Sequence, residues 1–208
     1  MSRRVKAWER SRGRSRLSRK SANREAKPRI LIVCEGTKTE PNYFKGFKVR
    51  TMNVVIEPAG AVHTSVVDRA LALIEEDGDY EEVWCVFDRD KNRANPDDVA
   101  LFNSAIEKAK SNGVQVAYSN DAFELWYLLH FNYCDTQILR SDYIVKLREI
   151  MGAYKKNDQS MYDKLEDKID VAIRNAKKLY RLSDKNDPAN ADPSTTVFML
   201  VERLLKLK

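Results

Sequence analysis

Arg29-Ile30-Leu31-Ile32-Val33-Cys34 runs without a break into Glu35-Gly36-Thr37-Lys38-Thr39-Glu40. A short aliphatic run that ends in a polar turn reads as a strand buried on both faces of a sheet. The same pattern returns at Glu82-Val83-Trp84-Cys85-Val86-Phe87, which runs directly into Asp88-Arg89-Asp90. Two more strand candidates are Asn53–Glu57 and Val114–Tyr118. Helical spacing fills the intervals. One helix starts near Pro41 with Tyr43, Phe44 and Phe47 on one side, and a second covers 65–76 with Val66, Ala70 and Ile74 in register. A third opens at Pro96-Asp97-Asp98, with Val99, Phe102, Ile106 and Ala109 inward. The order β-α-β-α-β-α-β with short links predicts an α/β fold: a mostly parallel four-stranded sheet with helices on both faces.

From Asp121 onward the strand pattern stops. Residues 123–131, 141–151 and 161–181 read as helices, and Asp192-Pro193-Ser194 opens a last one with Val197, Leu200, Val201 and Leu204 inward. The expected organisation is a basic N-terminal arm over 1–29, an α/β core over 30–119, and a helical part over 120–208 packed on that core.

The charge is divided in the same way. Of 37 Lys and Arg and 31 Asp and Glu, residues 1–29 hold 12 basic and 2 acidic groups, a net of +10. The rest of the chain is net −4. An arm this basic, with five serines and no apolar periodicity, is expected to be mobile when free. It suits phosphate contacts, and equally a solvated tail or a docking segment for an acidic partner.

With 208 residues, 43% of them hydrophobic, the chain can bury one core, which excludes wholesale disorder. No apolar run approaches the roughly 20 residues of a membrane span, so no membrane partner is expected. Three unclustered cysteines, two of them inside apolar runs, read as reduced thiols in a cytoplasmic protein. No glycine fingerprint for a dinucleotide or a P-loop follows the first strand, and no serine or cysteine nucleophile motif is present.

Parallel sheets bind ligands at the carboxyl ends of their strands. Strand one delivers Glu35 there, and strand three delivers Asp88 and Asp90. In an extended segment, residues two apart point the same way, so three carboxylates converge if the strands are neighbours. Carboxylates crowded together repel, and Mg²⁺ or Mn²⁺ relieves that repulsion through oxygen ligands. Glu35 is the candidate to move a proton. The plainer reading is that acidic residues after strands are common turn formers. His63 reads as lying near a helix start, and His130 as a core side chain on an apolar helix.

The residues Val33–Glu40 with Tyr43-Phe44, then Val86–Asp90, then Ser119-Asn120 through Phe123-Glu124-Leu125-Trp126 and Leu128–Phe131, then Tyr154-Lys155-Lys156, and last Pro193–Val197, form an ordered set. A strand ending in Glu-Gly followed by one ending in Asp-x-Asp resembles the Toprim module of topoisomerases, primases and OLD-type nucleases. The whole set resembles the RloB family, over roughly residues 28–203. The resemblance implies a Toprim-like fold and Mg²⁺-dependent cleavage of nucleic-acid phosphodiesters, with RNA such as tRNA, or DNA, as substrate. Glu35 matches the catalytic glutamate, and Asp88 and Asp90 match the metal-binding pair. The family is linked with restriction and abortive phage-infection loci, often beside an ABC-type ATPase. That implies a nuclease effector with an ATPase partner.

Around this scheme, Glu124 either adds a fourth carboxylate to the metal cluster or caps the helix it begins. Lys155 and Lys156, with Tyr154, suit phosphate contact and base stacking in a loop. Lys38 sits in the strand-one loop, where it would meet a phosphate. Glu40 either caps the next helix or braces that loop. Arg89, between the two aspartates, should point away from them, to a backbone phosphate or the cluster's surroundings. Thr195 and Thr196 match the family pattern without an assignable role. A net negative core calls for help from the arm, local lysines, metal, a partner or a homo-oligomer. The alternative function is a non-catalytic nucleic-acid-binding or adaptor protein docking the ATPase. A receiver-like module is the weakest, because Glu35-Gly36 stands where an acidic pair is needed.

Overall fold

A computed structural model describes residues 27–60, 62–90 and 97–208. Four parallel strands follow the expected order: β1 (Arg29–Cys34), β2 (Asn53–Pro58), β3 (Glu82–Asp88) and β4 (Gln115–Asn120). They are joined by α1 (Thr39–Lys45), α2 (His63–Asp77) and α3 (Asp98–Ser111). Then come α4 (Glu124–Leu128), α5 (Arg140–Met151), α6 (Met161–Leu165), α7 (Ile169–Leu182), β5 (Ser194–Thr195) and α8 (Val197–Lys206). The sheet runs β2-β1-β3-β4-β5, with β1 beside β3 and only β5 antiparallel.

Alternation along the strands decides which helices cover which face. Ile30, Ile32, Trp84 and Val86 face one core, shared with α1 and with α4 to α8. Leu31, Val33, Cys85 and Phe87 face a second core, closed by α2 and α3. The helical C-terminal part therefore covers one face of the sheet rather than standing apart. Tyr43 of α1 lies within 5.5–6.4 Å, centroid to centroid, of the rings of Phe44, Phe47, Phe123, Trp126, Tyr127 and Tyr162. This cluster clamps α1, so the loop between β1 and α1 is fixed at both ends.

Several expectations need correction. The sheet has five strands rather than four. Ser194 and Thr195 do not open a helix but extend the sheet, and α8 starts at Val197. The helix expected over 161–181 is broken by a 3-10 turn at Glu166–Lys168. The helix expected over 123–131 holds regular geometry only over Glu124–Leu128. Arg29, expected as the last residue of the arm, is the first of the sheet. It pairs with Asp77 at 2.7 Å and lies over the Tyr80 ring; residues 1–26 lie outside the described residues. All three cysteines are free thiols, with Cys34 and Cys85 buried. Among the described residues, no helix is long and apolar enough to cross a membrane.

The two-residue β5 is too short to hold an edge by backbone bonds alone, and threonine hydroxyls continue the ladder. The Thr195 hydroxyl donates to the Tyr118 carbonyl at 3.0 Å. The Tyr118 amide donates to Thr196 Oγ1 at 2.9 Å, and the Thr196 amide returns to the Tyr118 carbonyl. Replacing Thr196 by Val leaves a buried backbone amide without an acceptor, which costs about 1–3 kcal/mol. Urea denaturation of Thr196→Val should show a loss of that size, and Thr196→Ser should recover most of it.

His130 is buried, and its Nδ1 donates to the Trp126 carbonyl at 2.9 Å. Burial pulls its pKa from 6.5 down to about 4. The unfolded chain therefore takes the proton first, and stability falls as pH drops from 6.5 toward 4. An NMR titration should place the His130 midpoint near 4, and His130→Gln should flatten the stability loss across that window.

Candidate active site

The β1–α1 loop, the end of β3, the start of α5 and the loop before α6 enclose a pocket of about 270 Å³. It lies at the carboxyl ends of β1 and β3, where parallel sheets present ligand sites. Glu35, Glu40, Asp88 and Asp90 line it, with Lys38, Arg140 and Lys156 among them. Glu124 lies behind, near enough to Asp88 and Glu40 to repel their charges.

Each acid is placed by the local fold. The Glu35 amide continues the β1–β3 ladder by donating to the Val86 carbonyl, and its Oε2 accepts the Asp88 amide at 3.0 Å. Asp88 ends β3 and is only 4% exposed. Its Oδ2 accepts the Phe123 amide at 3.0 Å, which ties β3 to the segment after β4. Burial raises the Asp88 pKa well above the usual carboxylate range; Glu40 adds to this and Arg140 opposes it. Glu124, at the start of α4, accepts the Tyr154 hydroxyl at 3.2 Å.

Asp88 and Asp90 do converge, but not through strand alternation. β3 ends at Asp88, and Asp90 takes a left-handed φ of 41°. Their meeting point is Arg140. Its Nη2 donates to Asp88 at 2.8 Å, its Nη1 to Asp90 at 2.9 Å, and its Nε lies 4.0 Å from Glu124. Burial alone would lower the Arg140 pKa, but the surrounding acids, Asp88 first, raise it overall.

Glu40 is the acid whose role the sequence left open. It lies in the first turn of α1, 5% exposed, and its Oε2 has no hydrogen-bond partner. Burial raises its pKa. Its carboxyl group lies so close over Gly36 that a Cβ there would overlap it. The Glu-Gly pair of the β1 loop thus leaves room for a second glutamate.

The basic residues separate into two groups. Lys38 and Lys156 stand at the pocket, and the Thr39 hydroxyl donates to the Lys156 carbonyl at 2.9 Å, pinning one rim to the other. Lys155 is exposed and does not line the pocket. Tyr154 is buried in the core against Glu124, which gives it no face for base stacking. Arg89 points to the opposite side of the sheet, as expected, but it meets no surface for phosphate. It is buried against Asp98 of α3 at 2.6 Å, with His63, first residue of α2, 3.8 Å from the same carboxylate.

Among the described residues, no three His, Cys, Asp or Glu side chains are close enough together to hold a metal ion. The donor chemistry nonetheless fits a hard divalent cation. The candidate ligands are all carboxylate oxygens, and the buried Glu40 Oε2 has no partner. In this arrangement a guanidinium stands between Asp88 and Asp90.

The fit of Gly36 to Glu40 is testable without any ligand. Gly36→Ala should force the Glu40 carboxyl group, the end of a flexible side chain, to turn aside, at a cost of about 0.5–1.5 kcal/mol. The same change in a Glu40→Ala background should cost close to nothing. A double-mutant cycle by chemical denaturation measures the difference.

No curated protein and no solved structure matches the chain. One family model does, described as RloB-like protein, over residues 30–204. The match covers the sheet from Ile30 onward, every acid of the pocket, and Lys38, Arg140 and Lys156. The chain belongs to the RloB-like protein family.

Proposed function

We propose that the chain is a divalent-cation-dependent, Toprim-like nuclease acting on the phosphodiesters of RNA such as tRNA, or of DNA. The observation that carries this reading is the charge imbalance of the pocket. Glu35, Glu40, Asp88 and Asp90 line it with Glu124 behind them, five acids against Arg140, Lys38 and Lys156, and desolvation disfavours charge on Asp88 and Glu40. Nothing in folding requires such crowding, which costs stability; a divalent cation turns it to use.

Asp88 and Asp90, with Glu124 behind them, are the residues that would hold Mg²⁺ or Mn²⁺. When bound, the ion supplies charge to polarise a phosphoryl group and to stabilise a leaving oxygen. Lys38 and Lys156, on two joined rims, orient the nucleic-acid backbone. Glu35 is part-exposed at the mouth, fixed by the Asp88 amide, and exchanges a proton with the attacking or leaving oxygen. Glu40 lies beside Glu35 across Gly36 and keeps a second carboxyl group at the same site. The family's association with abortive infection suggests a phage-defence effector working in the cytoplasm with an ABC-type ATPase.

A second reading is favoured by Arg140. A guanidinium already neutralises Asp88 and Asp90, which suits a non-catalytic nucleic-acid-binding or adaptor protein that docks the ATPase and uses no metal. The two readings separate in Glu35→Gln and Asp88→Asn, which keep side-chain size. The nuclease reading expects Mg²⁺- or Mn²⁺-dependent cleavage of total RNA or plasmid DNA by the wild type. Each variant should lose at least about 100-fold of it while melting as a folded protein. Full biological effect retained in both variants would instead support the adaptor.

A further inference from the structure

We propose that Arg140 and a divalent cation are alternative occupants of the Asp88 and Asp90 carboxylates, so that loading the metal requires the guanidinium to swing out. The inference rests on the divalent-cation reading above and concerns its control. Arg140 forks across two carboxylates that come from different backbone positions, the end of β3 and the left-handed turn after it. It thereby takes the pair that an ion would need.

The guanidinium is an incomplete match for its surroundings. Its Nε has no hydrogen-bond partner and stays 4.0 Å from Glu124 Oε2, which also lacks one. Glu40 Oε2 lies buried and unpartnered on the same pocket. Arg140 donates hydrogen bonds to both Asp88 and Asp90, and a doubly charged ion in its place would neutralise that pair further.

The move needs no backbone rearrangement. Arg140 is the first residue of α5, and its amide is held by Asp121 Oδ2 at 3.2 Å. Its side chain is 22% exposed at the pocket. Rotation about side-chain torsions carries the guanidinium to the rim occupied by Lys38 and Lys156, while α5 stays in place.

Calorimetric titration of Mn²⁺ into wild type, Arg140→Gln and the double variant Arg140→Gln/Asp88→Asn tests this. Competition predicts binding about tenfold or more tighter in Arg140→Gln than in wild type, lost again in the double variant. Equal or weaker binding in Arg140→Gln overturns the competition and leaves the metal site standing. Absence of binding to either protein at millimolar ion overturns both. Should Arg140→Gln not fold, Arg140→Lys assigns the Arg140 side-chain N–H signals in the wild-type NMR spectrum. Mg²⁺ should then shift those signals and speed their exchange with water. Signals unchanged at saturating Mg²⁺ overturn the proposal.

Discussion

A carboxylate buried at the end of the central strand governs this molecule. Asp88 is nearly inaccessible, yet three segments depend on it. Its amide holds Glu35 at the end of β1, its Oδ2 receives the Phe123 amide, and the same oxygen receives Arg140 from the start of α5. A buried charge is costly unless it is hydrogen-bonded and paired. The neighbourhood is therefore organised to satisfy it. The segment after β4 turns back so that an amide faces it, and α5 begins where its first side chain reaches it. Three connections around the pocket meet at that one residue.

The remaining acids oppose this order. Glu40 and Glu124 add negative charge where burial already disfavours it. What keeps them there is packing. The aromatic cluster around Tyr43 fixes α1, and with it Glu40; Trp126 and Leu125 of α4 are wholly buried and carry Glu124 with them. The apolar core thus supplies the stability that the pocket consumes, an exchange typical of sites whose chemistry needs charge in a confined space.

The sequence made the scaffold legible where burial was two-sided. Ile30–Cys34 and Val83–Phe87 are continuous aliphatic or aromatic runs, and such runs have few structures open to them. β5 left no such trace. It has two residues, both with hydroxyls, and its pairing depends on a strand about 75 positions earlier. The break at Glu166–Lys168 was hidden because the apolar stripe continues on both sides of it. At the site, strand-end position revealed Glu35 and Asp88. Asp90 was reached by an argument from alternation that the left-handed turn does not follow. Glu40 had a weak local signal, a glycine four residues before a glutamate at a helix start. Arg140 had none, since a single arginine some fifty residues from its partners looks like any surface base until the chain has folded. Arg89 shows the reverse: local context suggested phosphate, and the folded chain turned it into a core ion pair.

The carbonyl of Leu207 accepts the amides of Arg50 and Thr51 and the Thr51 hydroxyl, and Thr196 completes the exposed side of β4. These contacts join residues made late in synthesis to residues made early. A nascent chain on the ribosome that already carries every acid of the pocket still lacks the strand that closes the sheet and the turn that secures the region after α1. The frame around the carboxylate cluster is thus complete only when segments near both ends of the described fold have met.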